Sequence, residues 1–238
     1  MVIVKELQPR TSIIITTYNG EKFVARAIES ALSQTDKDRE IIVVDDASTD
    51  GTREILDKYK KEVKLIFHKK NKKVSAALNS AIKIAKGRYI VRLDDDDYFA
   101  PELVEKEANF LDKNPNIDFL YCDYYLVNET EEIIGEIELP EYSPNVIHHK
   151  YLVAVGTMVR RKVFDEIGLF DEKIYHQEMY DFYLRMVKKF KGFHFKEKLF
   201  FYTRRPGQVT QNLQKLRYFT ELIRIKHGLS KNEVVVKW

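Results

Sequence analysis

Cysteine is almost missing from this chain of 238 residues, because Cys122 is its one thiol. A single cysteine excludes a disulfide framework and a cysteine-rich zinc site. No apolar run approaches the roughly 20 residues that a membrane-spanning helix needs. The apolar stretch within residues 1–10 is too short for a signal peptide. We therefore expect a cytoplasmic protein, with peripheral contact at the inner face of the membrane left open.

Glycine-rich phosphate-binding motifs are also absent. The sequence has no G-x-G-x-x-G after its first strand-like run and no G-x-x-x-x-G-K-[ST] anywhere. These absences argue against a Rossmann dehydrogenase and a P-loop NTPase, which hold phosphates on such loops. Internal repeats, low-complexity tracts and a clear linker are missing too. A single domain over residues 1–238 is therefore expected.

The charges that are present are unevenly distributed. The net charge is +3, yet residues 53–73 hold nine basic and three acidic residues (+6), and residues 185–205 hold eight and one (+7). Asp94–Asp97 are the opposite, four consecutive carboxylates. The basic clusters suggest a nucleic-acid-binding protein as one alternative. Because the acidic run would repel phosphates, no nucleic-acid partner is expected.

Short apolar runs alternate with helical patterns in the first half of the chain. Such alternation is typical of βαβ units and predicts an α/β fold, with one Rossmann-like sheet of mostly parallel strands flanked by helices. The expected strands are residues 12–17, 40–44, 63–67 and 89–93, and the expected helices cover residues 23–32, about 48–59 and 74–85. The less regular second half predicts strands over residues 119–127 and 133–139, and helices over residues 101–113, 161–166, 179–188 and 213–225.

Polar residues follow three of the expected strands, at Thr16–Asn19, Asp45–Asp46 and Asp94–Asp97. Ligands of parallel sheets bind beyond the carboxyl ends of the strands, so these residues are candidates for one site. Carboxylates there suit Mg²⁺ or Mn²⁺, which accept one or two carboxylates together with substrate phosphates. A solvated turn before the next helix is the simpler alternative for the acidic run.

Three segments resemble the successive signatures of family-2-type glycosyltransferases of the GT-A fold. They are Ile14–Asn19, Val43–Thr52 (VVDDASTDGT) and Gly87–Asp97 (GRYIVRLDDDD), and the likeness extends from about Ser12 to Thr210. The resemblance implies a nucleotide-sugar-binding half over about residues 1–115 and an acceptor-side, catalytic half over about 116–210. Residues 211–238 are then expected to form a C-terminal helical tail.

The resemblance also implies roles for residues at the strand ends. Thr16 and Tyr18 would line the nucleotide base, and Asp46 would accept a hydrogen bond from it. Asp94-Asp95-Asp96 would be the core of a DXD motif that binds the nucleotide sugar. Within that core, Asp95 would lie near the ribose and Asp96 would hold a Mn²⁺ or Mg²⁺ ion that bridges the diphosphate.

The catalytic base is where this sequence departs from the family pattern. Inverting members place an aspartate six residues before an arginine, and counting back from Arg185 reaches Met179, which cannot take a proton. Glu178 is adjacent, and its longer side chain could reach the same place. Asp181 is the alternative base, and an altered or inactive enzyme is the remaining reading.

A second departure lies near the end of the likeness. Relatives often carry a histidine that helps to hold the diphosphate and metal, and Arg205 stands at that position. An arginine cannot ligate a metal, but its guanidinium can fork onto phosphate oxygens. We expect Arg204 or Arg205 to stabilise the leaving diphosphate. An exposed basic loop is the alternative.

The function expected from the resemblance is metal-dependent, inverting transfer of a sugar. The donor would be a UDP-, GDP- or dTDP-sugar, and the acceptor a hydroxyl of a glycan or of a lipid-linked sugar, in cell-surface polysaccharide or glycoconjugate synthesis. A polyprenyl-phosphate sugar synthase at the membrane surface is the alternative, because residues 216–229 permit peripheral attachment. The sequence leaves the sugar, the nucleotide, the acceptor and the oligomeric state open.

Overall fold

The computed structural model describes residues 8–144, 156–206 and 212–229. Nine strands of these residues form one sheet in the order β3-β2-β1-β4-β8-β6-β9-β5, with β7 pairing with β6. The strands are β1 (Thr11–Thr17), β2 (Arg39–Asp45), β3 (Lys64–Phe67), β4 (Tyr89–Asp94), β5 (Tyr98–Phe99), β6 (Phe119–Val127), β7 (Ile133–Ile137), β8 (Met158–Arg160) and β9 (Gly192–Thr203). The helices are α1 (Val24–Leu32), α2 (Thr52–Lys58), α3 (Val74–Ile84), α4 (Leu103–Lys113), α5 (Arg161–Ile167), α6 (Glu178–Met186) and α7 (Leu213–His227).

The first four strands form the parallel sheet that the sequence predicts. β2 and β4 both pair in parallel with β1, and β3 pairs in parallel with β2. All of β1 is buried, with Ile13 and Ile15 in one core cluster and Ile14 in the other. Alternate side chains of a strand point to opposite faces, so both faces of this sheet are covered. Its carboxyl edge therefore remains the accessible place for a ligand.

The second half of the sheet is mixed. β8 runs antiparallel to β4 and β6, whereas β6 and β9 form a long parallel pair with two register shifts. β6 and β7 are antiparallel, as expected for two strands joined by a short loop. The parallel character expected for the whole sheet thus belongs mainly to its first four strands. The long β9 ends beside the acidic run, because Thr203 N donates to Asp97 Oδ1 at 2.8 Å.

The predicted C-terminal helix is present as α7, and it packs against the body of the protein. Phe219 and Ile223 are buried in a cluster with residues of α6 and its preceding turn, and Leu216 of the same helix is buried as well. This packing takes up much of the apolar surface on which the expectation of membrane attachment depends, although Ile225 remains exposed. None of the described helices is long and apolar enough to cross a bilayer. Residues 207–211 and 230–238 of the expected acceptor half and tail lie outside the described residues.

Candidate active site

A cavity of about 450 Å³ lies at the carboxyl ends of β1, β2 and β4. One side of it, here called the N-terminal wall, consists of Thr16, Thr17, Tyr18, Asp46, Asn71, Lys73, Val74, Ala77, Arg92, Asp94, Asp95 and Asp96. The other side, the C-terminal wall, consists of Tyr175, His176, Gln177, Glu178, Tyr202, Arg205, Lys215 and Leu216. The cavity therefore joins both halves of the sequence. Of the site residues expected from the sequence, Arg204 and Asp181 are not among those that line it.

Asp46 is a buried carboxylate at the base of the N-terminal wall. Its oxygens accept hydrogen bonds from the backbone N–H groups of Lys72 and Lys73 at 2.7–3.0 Å. His68 Nδ1 lies 2.6 Å from Asp46 Oδ1, and its Nε2 lies 2.9 Å from Ser80 Oγ. Asp46 thereby fixes the segment that carries Asn71 and Lys73 into the cavity. The carboxylate is therefore held in place before any ligand enters the cavity.

The acidic run is partly enclosed, so the reading of it as a solvated turn is wrong. Asp97 is 0% exposed, and burial raises the pKa of its carboxyl well above the usual range. Thr17 Oγ1 donates to Asp95 Oδ2 at 2.5 Å. Burial, together with the neighbouring charge of Asp96, raises the pKa of Asp95 to about 7. The four carboxyl groups can remain close together because each accepts a hydrogen bond from the protein and because burial favours the neutral form of Asp95 and Asp97.

Asp96 is the carboxylate that the resemblance assigns to a metal, and it faces an arginine. Arg205 Nε donates to Asp96 Oδ2 at 2.8 Å. Oxygen ligands of this kind match Mg²⁺ and Mn²⁺. Within the described ranges, no group of three or more His, Cys, Asp or Glu residues is arranged to hold a metal. An ion held by Asp96 would have to take its remaining ligands from substrate phosphates and water.

The two candidate bases at the start of α6 have different surroundings. Glu178 lines the cavity, and its Oε1 accepts from Arg92 Nη1 at 2.5 Å. Asp181 is 1% exposed and is bound by Lys226, His227 and Arg185. Its hydrogen bonds to His227 and Lys226 outweigh the effect of burial and lower the pKa of Asp181 to about 2. Asp181 therefore joins α6 to α7 away from the cavity.

The two adjacent arginines are also separated. Arg205 reaches the cavity, and its guanidinium lies 5.5 Å from the centre of the Phe23 ring. The side chain of Arg204 is exposed, while its backbone N–H donates to Val127 O. Of the two arginines, Arg205 is therefore the one whose side chain lies where it could contact a ligand of the cavity.

Several residues of the cavity were not predicted from the sequence, and three of them are polar groups with notable contacts or burial. Arg92 bridges the two walls, because its Nε donates to Asp94 Oδ1 at 2.7 Å while Nη1 holds Glu178. A basic residue among the apolar residues that precede Asp94 in the strand YIVRLD was a signal that could have revealed it. His176 and Gln177 are buried, and within the described part of the chain His176 Nδ1 and Gln177 Nε2 have no hydrogen-bond partner. Gln177 also has a positive φ of 57°, and no sequence pattern indicated either feature.

The sequence of this chain is similar to a known protein family and to several of its members. The model of the family described as Glycosyl transferase family 2 matches residues 12–206. An uncharacterized glycosyltransferase of Rickettsia typhi is 34% identical over 189 residues, which cover 76% of this chain and 59% of the relative. One of Methanocaldococcus jannaschii is 32% identical over 190 residues, covering 76% of this chain and 65% of the relative. The chain thus spans about three fifths of the length of these relatives.

Solved structures agree on the fold. TarS of Staphylococcus aureus, in complex with UDP-GlcNAc, has a TM-score of 0.75 at 23% identity over 91% of this chain and 66% of that one. The mannosyltransferase PcManGT of Pyrobaculum calidifontis, in complex with GDP-Man and Mn²⁺, has a TM-score of 0.66 at 17% identity over 93% and 64%. The mixed α/β sheet with flanking helices is therefore the GT-A-like fold that the sequence predicts. By the family model and by its relatives, this chain belongs to glycosyltransferase family 2.

Proposed function

We propose that the cavity transfers a sugar from a nucleotide-diphosphate donor to an acceptor hydroxyl by a single, inverting displacement. The observation that carries this proposal is the meeting of three kinds of group in one cavity. Strand-end carboxylates line the N-terminal wall, while Glu178 and the Arg205 guanidinium line the opposite wall. A metal-holding carboxylate, a base and a phosphate-binding cation are what such a displacement requires.

The donor would lie along the N-terminal wall. Thr16 and the half-exposed Tyr18 would flank the base, with Asp46 accepting from it or fixing the loop beside it. Asp94 and Asp95 would bind the sugar and ribose hydroxyls. The solved neighbours support a nucleotide-sugar donor, since TarS was solved in complex with UDP-GlcNAc and PcManGT in complex with GDP-Man. A panel of UDP-, GDP- and dTDP-sugars would identify which nucleotide this chain binds.

A divalent ion would be held by Asp96, with Asp95 beside it. When bound, Mn²⁺ or Mg²⁺ supplies Lewis-acid stabilisation of the charge that develops on the leaving diphosphate. The structure of PcManGT in complex with GDP-Man and Mn²⁺ supports the choice of metal. Arg205, already within the cavity, would donate to the phosphate oxygens through its guanidinium.

Glu178 would act as the general base. As the acceptor oxygen forms its bond to the anomeric carbon, the bond from that carbon to the diphosphate oxygen breaks, and Glu178 takes the proton of the acceptor hydroxyl. Arg92 holds Glu178 and Asp94 by two different nitrogens, so it sets the position of the base relative to the N-terminal wall. Asp181 is unsuited to this role because three basic side chains surround it.

The acceptor would be a glycan, or a sugar carried on a lipid diphosphate. A relative from Escherichia coli, 44% identical over 117 residues, is named UDP-Glc:alpha-D-GlcNAc-diphosphoundecaprenol beta-1,3-glucosyltransferase. That similarity covers 48% of this chain and 46% of the relative. It favours a sugar hydroxyl near a lipid diphosphate, and co-sedimentation with liposomes tests the membrane contact that such an acceptor implies.

A donor panel tests the proposed function. The full chain is incubated with UDP-, GDP- and dTDP-sugars with Mn²⁺ or with EDTA, and release of the nucleoside diphosphate is measured. We expect slow, metal-dependent hydrolysis of at least one donor, with water as the acceptor, and loss of that release in Asp96→Ala. Metal-independent release, or release that Asp96→Ala leaves unchanged, would contradict the proposal.

A further inference from the structure

The ion pair between Arg205 and Asp96 crosses the cavity at the point where the donor diphosphate is proposed to lie. Arg205 Nε is 2.8 Å from Asp96 Oδ2, and the two side chains are 33% and 15% exposed. Asp96 is on the N-terminal wall and Arg205 is on the C-terminal wall. This contact therefore joins the proposed metal ligand to the proposed phosphate-binding cation in the protein without donor.

Other contacts hold both ends of this pair. Arg26 Nη2 donates to the backbone carbonyl of Asp96 at 2.6 Å and to Thr203 Oγ1 at 2.7 Å. The guanidinium of Arg205 lies against the Phe23 ring, at 5.5 Å from its centre. The acidic run and the end of β9 are thus tied together from α1. An ion pair with fixed ends inside a cavity differs from a mobile pair on an open surface.

A guanidinium and a divalent cation at the same carboxylate oxygen weaken each other's binding, because both are positively charged. Arginine keeps its charge and offers no lone pair to a metal. Two positive charges a few ångströms apart in a partly enclosed cavity repel each other strongly. A diphosphate offers the guanidinium more acceptor oxygens than one carboxylate does, in a geometry that suits its fork.

We propose that Arg205 and the divalent cation compete for Asp96, and that the donor diphosphate ends this competition by drawing Arg205 onto its own oxygens. Metal then binds together with the nucleotide and only weakly before it. This inference rests on the proposed function, because it needs a nucleoside diphosphate in the cavity. By linkage, the nucleotide raises the affinity for metal by the same factor as the metal raises the affinity for nucleotide.

Mn²⁺ binding tests the competition without an acceptor or any turnover. The free Mn²⁺ signal in electron paramagnetic resonance is titrated with the full chain, alone and with UDP or GDP. The variants are Arg205→Gln, which removes the charge from the pair, Arg205→Lys, which keeps it, and Arg204→Gln as the matched control. Arg204 carries the same charge one residue away, and its side chain is exposed and outside the cavity lining.

Arg205→Gln is expected to bind Mn²⁺ about tenfold more tightly than the native chain when no nucleotide is present, a coupling of ordinary size. The same variant should bind UDP or GDP more weakly in the absence of metal. Arg205→Lys should fall between Arg205→Gln and the native chain, and Arg204→Gln should match the native chain. This opposite movement of two affinities distinguishes competition from simple phosphate binding.

Equal affinity of Arg205→Gln and the native chain for Mn²⁺ alone would overturn the proposal. So would an equal gain in Arg204→Gln, because the effect would then be long-range charge. If the native chain binds neither UDP nor GDP with Mn²⁺ present, that result contradicts the proposed function. The titration of Mn²⁺ without nucleotide still tests whether Arg205 competes with the metal for Asp96.

Discussion

The two walls of the cavity differ in how completely the protein satisfies their polar groups. Each carboxylate of the N-terminal wall has a protein partner: Asp46 has backbone N–H groups, Asp94 has Arg92, Asp95 has Thr17 and Asp96 has Arg205. On the C-terminal wall, among the described residues, His176 Nδ1 and Gln177 Nε2 are buried without a partner. A buried unpaired group costs about 1–3 kcal/mol. The first wall is therefore preorganised, and the second retains groups that a polar ligand would satisfy.

The largest effect is expected at Glu178, where the two walls meet. Glu178→Gln removes the proposed base but keeps the shape of the side chain, so turnover should fall by about 10²–10⁴ while donor affinity stays the same. Steady-state kinetics and calorimetry of donor binding measure the two quantities. Glu166→Gln, the same change at an exposed position of α5, is the control. Unchanged turnover in Glu178→Gln would remove Glu178 from the mechanism.

Asp181 should matter for stability instead of chemistry. Its pKa is lowered from 3.8 to about 2, so the folded state binds fewer protons than the unfolded state between these values. A pKa difference of one unit corresponds to about 1.4 kcal/mol, so the lowered pKa contributes about 2 kcal/mol to the free energy of unfolding. This contribution is present above pH 4 and is lost as the pH falls towards 2. Asp181→Asn should therefore lower the free energy of unfolding at pH 7 and weaken its dependence on acid.

Urea denaturation of Asp181→Asn at pH 7, 4 and 3 measures that loss. Glu178→Gln, measured in parallel, should show much less destabilisation at pH 7. If Asp181→Asn keeps its stability but loses turnover, the assignments of the two acidic residues of α6 are reversed.

Asp46 provides a test of the preorganised wall. Asp46→Asn leaves only one acceptor oxygen for three protein donors, so the segment with Asn71 and Lys73 should loosen. We expect UDP or GDP to bind about tenfold more weakly, which corresponds to loss of roughly one charged hydrogen bond. Isothermal titration measures it, with the exposed Asp57→Asn as the control. An unchanged dissociation constant would show that this wall does not hold the nucleotide.

Gln177 provides the corresponding test of the second wall, with a smaller effect. Gln177→Ala removes the unpaired Nε2 donor together with the Oε1 atom that accepts from Thr220. We expect kcat/KM for the acceptor to fall about fivefold, near the middle of the range for a single neutral hydrogen bond. Donor affinity should stay the same. Initial rates at saturating donor and varied acceptor measure the change. A loss of donor affinity with no change for the acceptor would place Gln177 on the donor side.

The N-terminal wall could be predicted because its signals are local. Each polar cluster follows its own strand directly, and parallel strands bring their carboxyl ends to one edge. Thr16, Asp46 and Asp94–Asp96 were therefore expected at one place, where the structure has them. The partners of Asp46 were not predictable, because His68 and Lys72 are more than 20 residues away and no pattern links them.

The C-terminal wall could be predicted only in part, since distant packing forms it. The choice between Glu178 and Asp181 depends on α7, which supplies Lys226 and His227 to Asp181. The choice between Arg204 and Arg205 depends on the register of β9, whose last residues pair with β6. The orientation of the Gln177 amide depends on Thr220, whose Oγ1 donates to Gln177 Oε1 at 2.8 Å and leaves Nε2 unpaired. The spacing of residues in the sequence predicts none of these contacts.

The decisive property of the cavity is its affinity for a nucleotide sugar. Isothermal titration with UDP-, GDP- and dTDP-sugars in Mn²⁺ is carried out on the native chain, on Asp96→Asn and on Asp57→Asn. We expect one donor to bind the native chain and Asp57→Asn equally, and Asp96→Asn to bind that donor at least tenfold more weakly. Equal binding by all three proteins, or no binding of any of these donors, would contradict this expectation.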